Sequence, residues 1–184
     1  MAPRTSARPE IYTIGHSNRT FEDFLALLEA HGIEQVADVR TVPKSRYNPQ
    51  FEEERLAASL SEHGIRYERI ETLGGFRRAR KDSVNTGWRN ASFRGYADYM
   101  GTDGFAAGIA ELEALGTARR SAFMCAEALP WRCHRSLIAD ALTMRGWRVL
   151  DIMSLSSATP HRLTPFLRVE KGVLIYPAPE EPRA

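Results

Sequence analysis

A-H-G-I-E-Q-V-A-D-V, Ala30 to Val39, carries a helix end into a buried strand through one glycine. The same punctuation recurs as E-H-G-I before Arg66 to Ile70 and as M-R-G-W before Arg148 to Ile152. Each time a basic residue, a glycine and then a β-branched or aromatic run follow a helical pattern. Glycine at this position takes the left-handed conformation that closes a helix, and a basic residue in the last turn complements the helix dipole. A-L-G-T before Ser121 to Met124 is a weaker fourth case. Upstream, Ile11 to Ile14 forms a short run ended by Gly15, and Phe21, Phe24, Leu25, Leu27 and Leu28 then recur at helical spacing, with Asn18 to Thr20 as the cap. Strands alternating with helices through such short connections predict an α/β fold: a mainly parallel central sheet, helices on both faces, and right-handed crossovers.

Composition sets the outer bounds. A chain of 184 residues with 43% hydrophobic and 26% charged residues is read as a single α/β domain over 10–177, with Pro-rich flexible tails at 1–9 and 178–184. No apolar run approaches the roughly 18 residues that span a bilayer, and M-A-P-R-T-S-A-R-P-E lacks the apolar centre of a secretory signal. Two cysteines make no disulfide framework. The expectation is a soluble, cytoplasmic protein without membrane partners. A net charge of +2 does not argue for nucleic acid by itself.

In open parallel sheets ligands bind beyond the carboxyl ends of the strands, and the chemically distinctive residues fall there. His16 and Ser17 follow the first strand in T-I-G-H-S-N-R. The second strand leads into A-D-V-R-T-V-P-K-S-R, which carries Asp38, Arg40, Ser45 and Arg46; Gly74 and Gly75 follow the third. The fourth opens S-A-F-M-C-A-E-A-L-P-W-R-C-H-R-S-L-I-A-D, Ser121 to Asp140, which holds Cys125, Glu127, Cys133, His134 and Arg135. Asp38 inside an apolar strand demands a partner, either an arginine or a loop it caps. Arg40, Arg46 and Arg135 suit bidentate contacts to phosphate or carboxylate, and together predict an anion pocket.

Three chemistries fit such a pocket. A thiolate nucleophile is favoured by nearby arginines, a histidine and a helix start. Cys125 to Arg132 encloses six residues, however, one more than a phosphatase-type loop, and Pro130 removes an amide donor. A divalent metal, iron or zinc, held by Cys125, Cys133 and His134 is the second, although the cysteine spacing is not that of a zinc finger. The third is a redox pair, since the seven residues between the thiols can fold back. Cys125, at the strand end, ranks above Cys133, which shares a helix face with Leu137 and Ala141. His31 and His63 are read as cations at helix ends and His161 as a surface residue. From Leu73 to Met100 no period holds. Arg77, Arg78, Arg80, Lys81, Arg89 and Arg94, among Phe76, Trp88, Phe93 and Tyr96, read as a long basic loop suited to a nucleic acid.

T-I-G-H-S-N-R, D-V-R-x-x-P-x-S-R, L-G-G, Y-A-D-Y-M and C-A-E-A-L-P-W-R-C-H-R-S-L-I-A-D, in this order, resemble the uncharacterised DUF488 family of small bacterial and archaeal proteins. The resemblance runs from Ile11 to Ile152. It implies a compact α/β domain whose signature residues gather in one pocket: His16, Ser17, Asp38, Arg40, Pro43, Ser45, Arg46, Gly74, Gly75, Cys125, Glu127, Cys133, His134 and Arg135. It implies no reaction.

The residues therefore predict an enzyme that binds an anionic small molecule, nucleotide or nucleic acid, with thiol or metal-assisted chemistry. Cys125, Glu127, His134 and His16 are its candidate catalytic groups, and Ser17, Arg40, Ser45, Arg46, Gly74, Gly75 and Arg135 its candidate ligand contacts. The competing readings are a non-enzymatic metal-binding protein and a nucleic-acid module built on residues 76–94.

Overall fold

The computed structural model describes residues 8–179, so most of the tails expected at 1–9 and 178–184 lies outside the described residues. Strand β1 (Glu10–Gly15) leads through helix α1 (Phe21–Ala30) to β2 (Gln35–Asp38). Helix α2 (Glu53–Glu62), β3 (Arg66–Arg69), α3 (Ala91–Tyr99), α4 (Asp103–Ala118) and β4 (Ser121–Cys125) follow in turn. Then come α5 (Arg135–Met144), β5 (Arg148–Ser154), β6 (Ser157–Pro160) and a two-stranded hairpin of β7 (Arg168–Glu170) and β8 (Val173–Ile175). The six-stranded sheet runs β3-β2-β4-β1-β5-β6, parallel throughout except for β6, which pairs antiparallel with β5. Among the described residues no helix is long and apolar enough to cross a membrane.

Alternation sorts the strands into two cores. Ile11, Ala37, Phe123 and Cys125 face α3, α4 and α5, where they meet Tyr96, Ile109, Leu112 and Leu137. Tyr12, Ile14, Val36, Ala122 and Met124 face α1 and α2, where they meet Phe24, Leu28, Leu56 and Leu60. The strands β1, β2, β4 and the middle of β5 are thus covered on both sides, as their apolar runs require, whereas the edge strand β3, R-Y-E-R, is half-buried to exposed. The glycine punctuation holds at three places, with φ of 64° at Gly32, 73° at Gly64 and 94° at Gly146. At the fourth it fails. Gly116 lies inside α4, where a side chain would press on the Trp147 ring, and Thr117 bonds back to the Glu113 carbonyl so that the helix continues to Ala118.

The presumed loop from Leu73 to Met100 ends in a helix, α3, over its last third. Asn90 accepts from the N–H groups of Ser92 and Phe93 and so starts α3, a cap hidden in sequence by the aromatic and basic residues around it. His31 and His63 sit at the C-caps of α1 and α2. His161 is no surface residue: its side chain is 7% exposed and donates through Nε2 to Asp140 at 2.8 Å.

Candidate functional site

The order of the sheet places β2, β4 and β1 side by side, and their carboxyl ends open onto one edge. Cys125 ends β4 opposite Gly15, so the loop after β4 crosses directly over the end of β1. A Cβ on Gly15 would run into the backbone of Glu127, and this close approach is why glycine follows Ile14. Beyond the loop, a 3-10 turn over Pro130–Arg132 returns the chain to α5, and Cys133 and His134 stand at the start of that helix.

His134 organises the site. Its Nε2 lies 2.9 Å from the Val39 carbonyl, which only accepts, so Nε2 carries the proton. The Nδ1 lone pair is thereby left facing both thiols, 3.8 Å from Cys125 Sγ and 3.6 Å from Cys133 Sγ. The three ligand atoms lie within 4.8 Å of one another. A tetrahedral zinc with bonds of about 2.3 Å to sulfur and about 2.0 Å to nitrogen separates sulfur from nitrogen by about 3.5 Å and sulfur from sulfur by about 3.8 Å. The observed sulfur–nitrogen separations are within about 0.3 Å of that edge. Gly75 is the second glycine the site needs, since its Cβ would stand 2.6 Å from His134 Nδ1.

The two thiols, both buried and unpaired by disulfide, differ in character. Cys125 is pushed up because it donates to Cys133 and because it is buried. Burial would raise Cys133 as well, but the hydrogen bond from Cys125 and the charge and backbone N–H of Arg135 outweigh it, bringing Cys133 down to about 7. The more ionisable sulfur is therefore Cys133, at the helix start, and not Cys125 as the sequence suggested. Cys133 was read as a core residue because of its helix face; the signal missed was the arginine two positions on.

Both thiols and His134 line a cleft of about 380 Å³ together with Arg40, Thr41, Gly75, Phe93, Glu127 and Arg132, with Val42 and Phe76 exposed at its rim. A second cleft of about 450 Å³ shares Arg40, Glu127 and Arg132 and adds His16, Ser17, Lys44, Ser45 and Asn48. Arg40, Lys44 and Arg132 against Glu127 make this edge cationic. Ser17 occupies a left-handed conformation, φ 52°, where its N–H meets the Ala126 carbonyl and its own carbonyl accepts from His16. Ser45 accepts from the Asn48 N–H and shapes the loop. Gly74 packs against Thr41, whose hydroxyl a Cβ would strike at 2.7 Å.

Arg40 is oriented by Asp38, which is fully buried and accepts from the Arg40 backbone, from its Nε and Nη2, and from the Tyr67 hydroxyl at 2.6 Å. The ion pair inferred from an acidic residue in an apolar strand is thus present.

Three sequence-predicted residues serve otherwise than expected. Arg135 is 1% exposed, lines neither cleft, and donates to Thr13 and to the carbonyls of Glu127 and Ala128, so it holds the loop and not a ligand. Arg46 is exposed outside both clefts, and Lys44 takes the place assigned to it. His16 donates through Nδ1 to the Ser17 carbonyl, and its Nε2 accepts from Arg40 at 3.3 Å. Burial, with the Arg40 charge, lowers it to about 4, so it stays neutral and positions Arg40 instead of exchanging protons. Part of the basic segment is turned inward, while Arg78, Arg80, Lys81 and Arg89 are exposed. Arg77 stacks on Tyr99 at 3.7 Å, Arg94 donates to the Trp88 carbonyl, and Tyr96 is buried out of reach of any base.

The family model described as "Domain of unknown function DUF488" matches residues 20–142, a span that takes in the ends of β2 and β4 with Cys125, Cys133 and His134 but not His16 and Ser17 after β1. No curated protein and no solved structure matches this chain.

Proposed function

Starting from a chain that belongs to the DUF488 family, we propose that it is an enzyme binding an anionic, nucleotide-like substrate beside a mononuclear metal centre, zinc or iron, held by Cys125, Cys133 and His134. The observation that carries this reading is the His134 tautomer: the Val39 carbonyl fixes the proton on Nε2 and turns the Nδ1 lone pair onto two thiols, 3.8 and 3.6 Å away. Metal-binding histidines almost always donate their other N–H in this way. Three protein ligands facing a cleft leave a fourth position open, which is the pattern of a catalytic site and not of a closed structural one.

When bound, such an ion supplies Lewis acidity and lowers the pKa of a coordinated water. The chain's own groups do the rest. Arg40, locked by Asp38, Tyr67 and His16, presents a guanidinium that needs no reorganisation to meet an anion. Lys44 and Arg132 add charge on either side, and Glu127, exposed at the junction of the two clefts, is the group placed to accept a proton. Val42 and Phe76 offer the body of the substrate an apolar rim.

Metal analysis of untagged protein tests the centre. About one equivalent of zinc or iron per chain is expected, falling below about 0.1 in Cys133→Ser and Cys125→Ser. Wild-type protein that holds less than that after reconstitution would overturn the proposal. Hydrolysis of a phosphate-ester panel by metal-loaded protein, lost in Glu127→Gln, tests the catalytic part.

A further inference from the structure

The chain has two cysteines, and the fold sets them side by side as free thiols. Cys125 ends β4 and Cys133 stands just before α5, with seven residues between them in sequence. Both sulfurs nevertheless approach one atom, His134 Nδ1, at 3.8 and 3.6 Å, and they lie within 4.8 Å of each other. A buried cysteine that only fills space needs no second thiol beside it. Two that converge can share a metal ion or share a bond, and the same convergence serves both.

A disulfide draws its sulfurs to about 2.05 Å, so from within 4.8 Å they have less than about 2.8 Å to close. Turning one cysteine between staggered side-chain conformations covers a movement of that size. The connecting segment has room to follow, since Ala126, Glu127, Trp131 and Arg132 are exposed and its only regular structure is the 3-10 turn Pro130–Arg132. Access is selective. Both cysteines line the open cleft of about 380 Å³, so a small oxidant reaches them, whereas exposures of 8% and 4% keep them from the thiol of another chain. No third cysteine exists in the chain to intercept an oxidised intermediate.

We propose that Cys125 and Cys133 are a redox pair as well as metal ligands: a peroxide joins them in a reversible disulfide, and any metal held at His134 is released. The release rests on the metal centre proposed above; the disulfide does not. In the first step one thiol sulfur attacks the peroxide, an S–O bond forms as the O–O bond breaks, and with hydrogen peroxide one water leaves. In the second the other sulfur displaces the hydroxyl of this sulfenic acid, the S–S bond forms as the S–O bond breaks, and a second water carries off the remaining thiol proton. Two thiols are oxidised and one peroxide is reduced to two waters. Thiolates bind metal and a disulfide does not, so of the three ligand atoms only His134 Nδ1 is left. Reduction by a dithiol returns the other two.

Hydrogen peroxide added to untagged, chelator-treated wild-type protein tests the pair without the metal and without any variant that could fail to fold. The product should lose the mass of two hydrogen atoms and both thiols titratable after denaturation, remain a single chain on a non-reducing gel, and regain both thiols with dithiothreitol. Zinc-loaded protein treated in the same way should release its zinc to a chromogenic chelator in step with the loss of thiols, and take up about one equivalent again after reduction. Retention of both thiols, oxidation to sulfinic acid in place of the disulfide, or a link between two chains would each overturn the proposal, as would zinc that stays bound after the disulfide has formed. A chain that forms the disulfide but binds no zinc when reduced would overturn the metal centre and leave the redox pair standing. One that binds zinc but forms no disulfide would overturn the redox pair alone.

Discussion

Asp38 and Asp140 are both fully buried carboxylates, and each accepts from four donors, yet they belong to regions built on different principles. At the parallel edge the partners of Asp38 are close in the chain or on the adjoining strand: the backbone, Nε and Nη2 of Arg40, and the Tyr67 hydroxyl. On the opposite side Asp140, in α5, gathers His161 Nε2, the N–H and hydroxyl of Thr164, and the Tyr176 hydroxyl from 21 to 36 residues downstream. The first hub orients a side chain for use in a cleft, whereas the second ties an irregular segment to the body. A charge that must be presented needs a short, stiff connection; a segment that must be anchored needs a receptor that many donors can reach.

The comparison breaks most sharply at Asp38. Asp38→Ala strands the Arg40 guanidinium, 5% exposed and unable to lose its charge, together with the Tyr67 hydroxyl. Removing one partner of a buried pair costs about 3–5 kcal/mol, and urea unfolding should show that loss as a lower midpoint with an unchanged slope. Asp140→Ala should cost less, about 3 kcal/mol at pH 6, because His161 can escape by giving up its proton. That escape makes the cost depend on pH. His161 is raised from its ordinary 6.5 to about 9 by Asp140 and Asp151, against the opposing effect of burial. A raised folded-state value gives stability that is fully present below pH 6.5 and lost as pH climbs through about 9. The stability difference between wild type and Asp140→Ala should therefore shrink from pH 6 to pH 10. Cys133, lowered to about 7, contributes in the opposite sense over part of that window, but does so equally in both proteins and cancels in the difference. A difference that stays constant across the range would show that His161 is not charged in the fold.

The two regions also differ in what their sequence discloses. The parallel edge is legible because its rules are local: apolar runs of strand length, glycines at helix ends, and an aspartate where only apolar residues belong. From these the α/β class, the strand order of events along the chain and the Asp38–Arg40 pair follow. Convergence of Cys125, Cys133 and His134 is legible as a candidate set but not as geometry, because the tautomer of His134 depends on the Val39 carbonyl, 95 residues away in sequence. Arg135 was misread for the same reason, as a guanidinium can hold a ligand or a loop and only the position of Thr13 and Glu127 decides. The Asp140 network is illegible altogether. An aspartate in a helix and a histidine between two prolines each look solvated until the β5-β6 hairpin turns the chain back over α5.

A gentler perturbation sharpens the role of the parallel edge. Gly75→Ala brings a methyl group to within 2.6 Å of His134 Nδ1, and the imidazole must turn away from its alignment between the thiols and the Val39 carbonyl. Disturbing what orients a metal ligand typically costs 10–100-fold in affinity, so competition with a chromogenic chelator should show a loss of that size, about 1.4–2.7 kcal/mol. The fold should survive, since Gly75 has an ordinary backbone conformation and the clash is with a side chain. Unaltered metal affinity would mean that His134 Nδ1 is not a ligand.

Asp151 supplies the smallest expected effect and the strictest contrast with the two hubs. It is a buried carboxylate like them, 7% exposed, but its Oδ1 accepts nothing and its Oδ2 has only the long approach to His161. Replacing it by asparagine keeps the shape and gives up its share in holding His161 protonated, while relieving the desolvation of a carboxylate with one unpartnered oxygen. These opposing terms should leave stability within about 1 kcal/mol of wild type at pH 7, against several for Asp38→Ala. Were Asp151→Asn instead to destabilise as severely as Asp140→Ala, Asp151 would be a third structural hub, with His161 as its full partner.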